Sequence, residues 1–182
     1  MALSKITNGG VAASGIPSGG IIQVQRTQYT STTSTTVANA TNVELSHLAV
    51  NITPTATNSI IKIEAMVSGE WNPQETTTYN SGWFFYRDST KLAAPLDGNT
   101  NITVLPLTLI GITGPDQAST PEAAVYSYFD TPSSTSQIAY KVGVVQATGS
   151  SATWYTNRTV TDTNSGIYER GISYISVTEI AG

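Results

Sequence analysis

The sequence predicts an all-β fold, an antiparallel jelly-roll β-sandwich, and three observations predict it. Short apolar or alternating segments recur about every ten residues, with turn residues between them. Threonine and serine crowd the chain, most densely in residues 27–36 (TQYTSTTSTT), and β-branched threonine suits a pleated, half-solvated surface. No window carries an i, i+3, i+4, i+7 apolar stripe bounded by caps. The one helical turn expected lies at residues 119–124, where Thr120 caps and Pro121 takes the first helical position.

Residues 1–20 (MALSKITNGGVAASGIPSGG) hold Gly9-Gly10, Gly15, Pro17 and Gly19-Gly20, too many breakers for a packed helix or strand. They read as an extended attachment arm whose contact residues are Ile6, Val11, Ile16 and Pro17. Residues 21–182 form the sandwich domain, one domain of ordinary size. Its strands are expected at residues 20–27, 35–42 and 45–52, the last ending before Pro54. The clearest strand spans residues 60–71, with Ile61, Ile63, Ala65, Val67 and Trp71 on one face and Lys62, Glu64, Ser68 and Glu70 on the other. Further strands are expected at residues 82–87, 102–112, 123–129, 137–147, 152–157 and 171–180, joined by linkers such as TGPDQASTPE and DTPSSTSQ. That number of antiparallel strands in a domain this size fits a jelly roll.

Composition narrows the function. The chain of 182 residues is 39% hydrophobic and only 11% charged, with a net charge of −4. Lys and Arg are scattered singly from Lys5 to Arg170, so no basic stripe exists to neutralise phosphates, and nucleic acid is not an expected partner. With no cysteine, stability cannot depend on disulfides or thiolate metal sites. The longest aliphatic stretch, residues 104–112, is broken by Pro106 and falls far short of a bilayer span, so no membrane anchor is expected. The N-terminus has no continuous apolar run and does not read as a secretory signal. Sequons at Asn39, Asn51, Asn101 and Asn157 are therefore attributed to the abundance of Asn and Thr.

Catalytic side chains are scarce. His47 is the sole imidazole and sits in the strand-like SHLAV, where a structural role is expected. No Gly-x-Ser-x-Gly elbow occurs. Glu64 and Glu70 share a strand face, yet six residues put them roughly 20 Å apart, too far for a glycosidase pair. Asp88, Asp97, Asp116, Glu122, Asp130 and Asp162 lie beside Gly, Pro, Ser or Thr, where acids ordinarily cap turns. No calcium loop or phosphate loop is present. The expectation is a protein without catalytic residues, metal or cofactor.

Binding offers more. Several strands are apolar on both faces, notably Trp83 with Phe84, Phe85 and Tyr86, and Val142 with Val144 and Val145, which predicts a subunit interface outside the core. Tyr126, Tyr128, Tyr140 and Tyr174 are assigned to that interface, since Tyr brings apolar area with a polar tip. Trp71, Trp83 and Trp154 have two readings: they close the core or a seam, or they form a ligand surface for sugar hydroxyls.

The opening ALSKITNGGVAASGIPSGGIIQVQ resembles the N-terminal segments of fibre and appendage proteins of tailed bacteriophages, particularly of marine cyanophage type. The segments IIKIEAMVSGEW, WFFYRDSTKLA, YFDTPSSTSQIAYKVGVVQ and ISYISVTEIAG are similar to strands of the compact jelly roll in such virion structural proteins. The resemblance implies a homotrimeric jelly roll related in architecture to the tumour necrosis factor-like fold, exposed on the virion exterior and without enzymatic activity. It also implies either a capsid decoration, cement or head-fibre protein bound to the major capsid protein or another virion protein, or a tail-fibre tip recognising a host surface glycan or protein. The chain departs from a usual fibre in carrying no shaft or repeat, which favours direct attachment through the arm.

Overall fold

The computed structural model describes residues 15–73, 80–94, 106–109 and 119–182. Its strands are β1 (Ile21–Tyr29), β2 (Thr33–Val37), β3 (Val43–Ile52), β4 (Ile60–Asn72), β5 (Ser81–Arg87), β6 (Thr90–Leu92), β7 (Thr108–Leu109), β8 (Glu122–Asp130), β9 (Ile138–Gln146), β10 (Ala152–Thr156) and β11 (Ser173–Ile180). Every pairing between them is antiparallel. Two sheets face each other in a sandwich, as the period-2 patterning predicts.

In the first sheet several strands are halves of one position. β11 pairs with β4 from Ile60 to Met66, and β10 continues the line from Gly69 to Asn72. β1 and β2 lie outside them in the same way, β1 on β11 and β2 on β10, while β8 borders β4 from Ile61 to Gly69. The order across the sheet is thus β1/β2, β11/β10, β4, β8. The second sheet runs β3, β9, β5, and then β6 and β7 along one edge of β5. After β2 the chain crosses to the opposite sheet at each step until β5, and again into β8, β9 and β10. The first strand ends beside the last. This connectivity is a jelly roll.

The core lies between the sheets. Ile61, Ile63, Ala65, Val67 and Trp71 of β4 are buried, as their alternation requires, against Leu45, Trp83, Phe85, Tyr140, Val142 and Val144 from the second sheet. Gly69 sits at the step where β4 changes partner. A Cβ there would stand 2.1 Å from the Tyr155 carbonyl oxygen and 2.7 Å from the Trp154 ring, so only glycine fits.

The outer side of the second sheet corrects an expectation. Phe84, Tyr86 and Val145 point away from the main core but are buried within the chain, with Ala93 and Leu107 against them. Gly143 leaves the space that the Phe84 ring fills, and Lys91 Nζ lies 4.3 Å from that ring's centroid. The two-sided apolarity of β5 and β9 is satisfied inside one copy. The chain's own segments do what a second subunit was expected to do.

Two further differences appear. Residues 119–124 make no helical turn: Glu122 already begins β8, and the Thr120 amide and hydroxyl donate to Glu70 Oε1 instead of capping. β6, only Thr90–Leu92, follows a tight turn at Asp88 and was too short to announce itself by alternation. Of the strand expected at residues 102–112, Thr108–Leu109 is present as β7, and residues 102–105 and 110–112 lie outside the described residues.

Candidate interaction surface

The outward face of the first sheet is open. Alternation along β1, β11, β4 and β8 sets three rows across it: Val24, Thr178, Lys62, Phe129; then Arg26, Ser176, Glu64, Ser127; then Gln28, Tyr174, Met66, Val125. Large apolar side chains stand in solvent at its two margins, with Phe129 58% and Val125 67% exposed on β8 and Val24 53% exposed on β1. Between them Lys62 Nζ pairs with Glu64 Oε1 at 2.8 Å. At the β1 margin a hollow is lined by Val24, Arg26, Thr27, Gln28, Tyr174 and Ser176.

One end of this sheet carries an excursion, residues 157–172, between the two halves of the last strand position. Glu70 is on the outward parity of β4 yet is buried, because the excursion and the segment before β8 fold over it. Its Oε2 accepts from the Val160 amide and its Oε1 from Thr120. Within the excursion Asp162 pairs with Arg158 at 2.7 Å and also with Arg170. The Arg170 hydrogen bond, with that of Arg158, holds the Asp162 carboxyl below its usual range. The Arg158 guanidinium lies 4.4 Å from the Tyr155 ring centroid, and Ile167 is exposed at the crest.

The base of the excursion is Asn157, fully buried, with φ at 61°. Its Nδ2 donates to the Tyr29 and Ser31 carbonyls at 2.8 Å each, and its Oδ1 accepts from Ser173 Oγ at 2.6 Å. In the sequence this residue stood out only as the head of a sequon and the last residue of the strand expected at residues 152–157. In the fold both amide hydrogens are committed to backbone, so the side chain is structural.

The predicted site residues are distributed differently from expectation. Tyr126 and Tyr140 are core residues and do not line a seam. The Tyr126 hydroxyl donates to the Phe84 carbonyl at 2.9 Å and its ring stacks on Phe85; the Tyr140 hydroxyl donates to Asp130 Oδ2 at 2.7 Å. Burial raises the pKa of both phenols, aided at Tyr140 by the Asp130 carboxylate. Tyr128 also points inward, half-buried against the core. Only Tyr174 of the four lies on the outward face. Period-2 alternation cannot say which parity faces in, and on β8 the inward parity gives the Tyr126 hydroxyl an acceptor at the Phe84 carbonyl.

Trp71, Trp83 and Trp154 are 1%, 0% and 1% exposed, so they form no ligand surface. They make one cluster inside the sandwich, with ring centroids 4.8 to 6.4 Å apart. Their buried indole nitrogens have no acceptor among the described residues, and the three rings pack on one another. Of the arm residues, Ile6 and Val11 lie outside the described residues, while Ile16 and Pro17 precede β1. Ile16 lies in a hollow with Ile22, Thr55, Ala56 and Ala181, and Gly19 N donates to the Ala181 carbonyl at 2.7 Å, so residues 15–20 fold against their own domain.

His47 bulges from β3, where Ser46, His47 and Leu48 fall between the paired Leu45 and Ala49. Its Nε2 lies 3.2 Å from Thr156 Oγ1, its ring 4.5 Å from the Tyr29 ring, and burial lowers its pKa. These contacts tie the two sheets together. Asp130 is held by Arg87 and Tyr140, and Asp88 accepts from the Ala139 amide beside its turn. Asp97 and Asp116 lie outside the described residues. Among the described residues no group of three or more His, Asp or Glu side chains stands together as a metal site.

No protein-family model matches the chain, and no curated protein matches it. Among solved structures it is similar to the VP2 subviral particle of infectious bursal disease virus, with 15% identity, 87% of this chain and 41% of that chain covered, and a TM-score of 0.40. It is also similar to the viral particle of the same virus, with 13% identity, 88% and 40% covered, and a TM-score of 0.37. The chain spans about two fifths of the length of those chains, 41% and 40%.

Proposed function

We propose that the chain is a non-enzymatic structural subunit of a bacteriophage virion, a homotrimer that decorates or cements the exterior of the particle and is attached through its N-terminal arm. The observation that carries this reading is the outward face of the first sheet: exposed Phe129, Val125 and Val24 on a rigid antiparallel frame, a surface suited to protein contact. The side chains on which acid-base chemistry would depend have structural partners instead, His47 with Thr156 and Tyr29, and Asp130 with Arg87 and Tyr140. The resemblance of the arm and strands to phage virion proteins supports the location. The major capsid protein or another virion protein is the attachment partner in this reading. The receptor-tip alternative drew on three indoles, which are buried in the core, and on the loops at residues 72–81 and 97–101, most of which lie outside the described residues.

The test separates self-association from attachment. Deleting residues 1–14 removes the arm ahead of the segment that folds against β11, so the domain keeps its mass as an oligomer. On particles lacking the protein, the full chain binds and the truncated chain does not. Equal occupancy by both would remove the arm from the mechanism.

A further inference from the structure

We infer that the hollow over β1 and β11 binds a carboxylate-bearing sugar, with Arg26 taking the carboxylate and Gln28, Ser176 and Tyr174 taking the ring. This goes beyond the structural role proposed above and does not depend on it, since every copy of the chain carries the whole hollow.

The strand register builds the site. On the outward parity Arg26 stands directly opposite Ser176, and Gln28 opposite Tyr174. Cross-strand spacing and the two-residue step along each strand set these four side chains at the corners of a patch about 5 by 7 Å, the footprint of one sugar ring. Val24 extends the β1 side, and the hollow holds about 350 Å³, at the lower end of the range for small-ligand pockets. Pairing of β1 with β11 is continuous from Gln23 to Tyr29, so the frame is set before a ligand arrives.

Neighbouring polar side chains are already occupied. Gln23 donates to the Thr53 carbonyl and to Glu179, Thr27 donates to the Ala49 carbonyl, and Lys62 pairs with Glu64 at 2.8 Å. The side chains of Arg26, Gln28, Ser176 and Tyr174 have no hydrogen-bond or ion-pair partner among the described residues. Glu64, the carboxylate on the same row as Arg26, lies beyond Ser176 on β4 and is taken by Lys62. The hollow therefore presents an uncompensated positive charge on a chain whose net charge is −4.

The chemistry of these groups selects the ligand. A guanidinium holds a carboxylate through two parallel N–H···O bonds. The other three groups are neutral, an amide and two hydroxyls that donate and accept, and so match sugar hydroxyls. Val24 and the Tyr174 ring offer apolar area to the C–H face of the sugar. With one cation among its described lining residues, the hollow suits a single carboxylate better than a phosphate. Phe129 and Val125 stand at the opposite margin of the sheet, about 14 Å away at the usual strand spacing, so a protein contact there leaves the hollow open.

Ligand-observed NMR and titration calorimetry on the full chain test this. The probes are glucuronate oligosaccharides and N-acetylneuraminate oligosaccharides, with glucose oligosaccharides as the neutral comparison. At least one acidic probe binds at millimolar concentration, about tenfold or more tighter than the neutral sugar. Which acidic probe binds distinguishes a uronic acid from a sialic acid as the source of the carboxylate. Arg26→Gln removes the preference for the acid, Tyr174→Ala weakens acidic and neutral sugars alike, and Phe129→Lys changes neither. Tryptophan emission, which reports the buried indole cluster, confirms that each variant is folded. Failure of both acidic probes to bind overturns the site, as does an Arg26→Gln variant that keeps the preference. Acetate that competes as well as the acidic sugar reduces the site to a bare anion contact and overturns the sugar assignment. A wild-type monomer that binds the acidic sugar through Arg26 upholds this site while removing the homotrimer proposed above.

Discussion

Ser173 Oγ donates to Asn157 Oδ1 at 2.6 Å, and this bond joins the two halves of the last strand position across the excursion between them. The same Asn157 side chain reaches the Tyr29 and Ser31 carbonyls, where the first strand position is also broken, and the Asn157 backbone N–H donates to the Ser68 carbonyl beside the Gly69 step. Two strand breaks and the step at which the continuous β4 changes partner therefore meet at one residue. At the two breaks the Asn157 side-chain amide bonds groups that the ladders leave there, and at the step a backbone bond does so.

Asn157→Ala removes the side-chain bonds and places a residue with no polar side chain at a positive φ. Two carbonyls and a hydroxyl lose their partner, so the expected loss is about 2–4 kcal/mol. Urea unfolding reads it as a lower midpoint with an unchanged slope. An unchanged midpoint would show that the breaks hold without Asn157.

Glu70 fastens the excursion from beneath. Glu70→Gln puts an NH₂ group opposite an amide donor at Val160 or Thr120, and the excursion is expected to loosen while the sandwich stays folded. Trypsin should then cut at Arg158 or Arg170 several-fold faster than in the wild type. Cleavage at the wild-type rate would mean that Asp162 and its two arginines hold the loop alone.

Glu179 makes stability acid-sensitive. Burial pushes its carboxyl pKa up, but hydrogen bonds from Ser59, Gln23 and Thr55 outweigh burial, and the net direction is down. A folded pKa below the unfolded one gives stability that is full above the unfolded value, about 4.3 for Glu, and is lost as pH falls through the folded value. The thermal midpoint is expected to fall as pH drops below about 4, and Glu179→Gln should flatten that part of the profile while lowering stability at neutral pH. Parallel profiles for the two proteins would exclude this carboxyl as the source.

The tryptophan cluster predicts spectroscopy as well as stability. Emission should be blue-shifted and resistant to acrylamide in the native state, and added oligosaccharides should leave it unchanged. Trp83→Ala is expected to cost about 3–5 kcal/mol, the range for deleting a fully buried large aromatic. Efficient native quenching would contradict the burial of all three rings.

Much of the strand pattern was legible because alternation and turn residues are local. β4 illustrates it: Ile61, Ile63, Ala65 and Val67 had to share a face, and that face is buried. β8 shows where locality ends. Tyr126 and Tyr128 alternate with Val125 and Phe129, and either set fits a core, so the sequence could not choose between them. The tertiary structure turns the tyrosines inward, where the Tyr126 hydroxyl meets the Phe84 carbonyl, far away in sequence.

The sequence by itself determined an all-β domain, its approximate strands, and the shortage of catalytic side chains, because composition and periodicity need no knowledge of neighbours. Tertiary structure alone decided that β10 and β11 share one strand position, that Asn157 and Glu70 are buried ties, and that the indoles face in. It also decided which apolar residues remain outside. Those outcomes depend on pairing between segments up to the full length of the chain apart, where burial and hydrogen-bond satisfaction are settled jointly for both sheets.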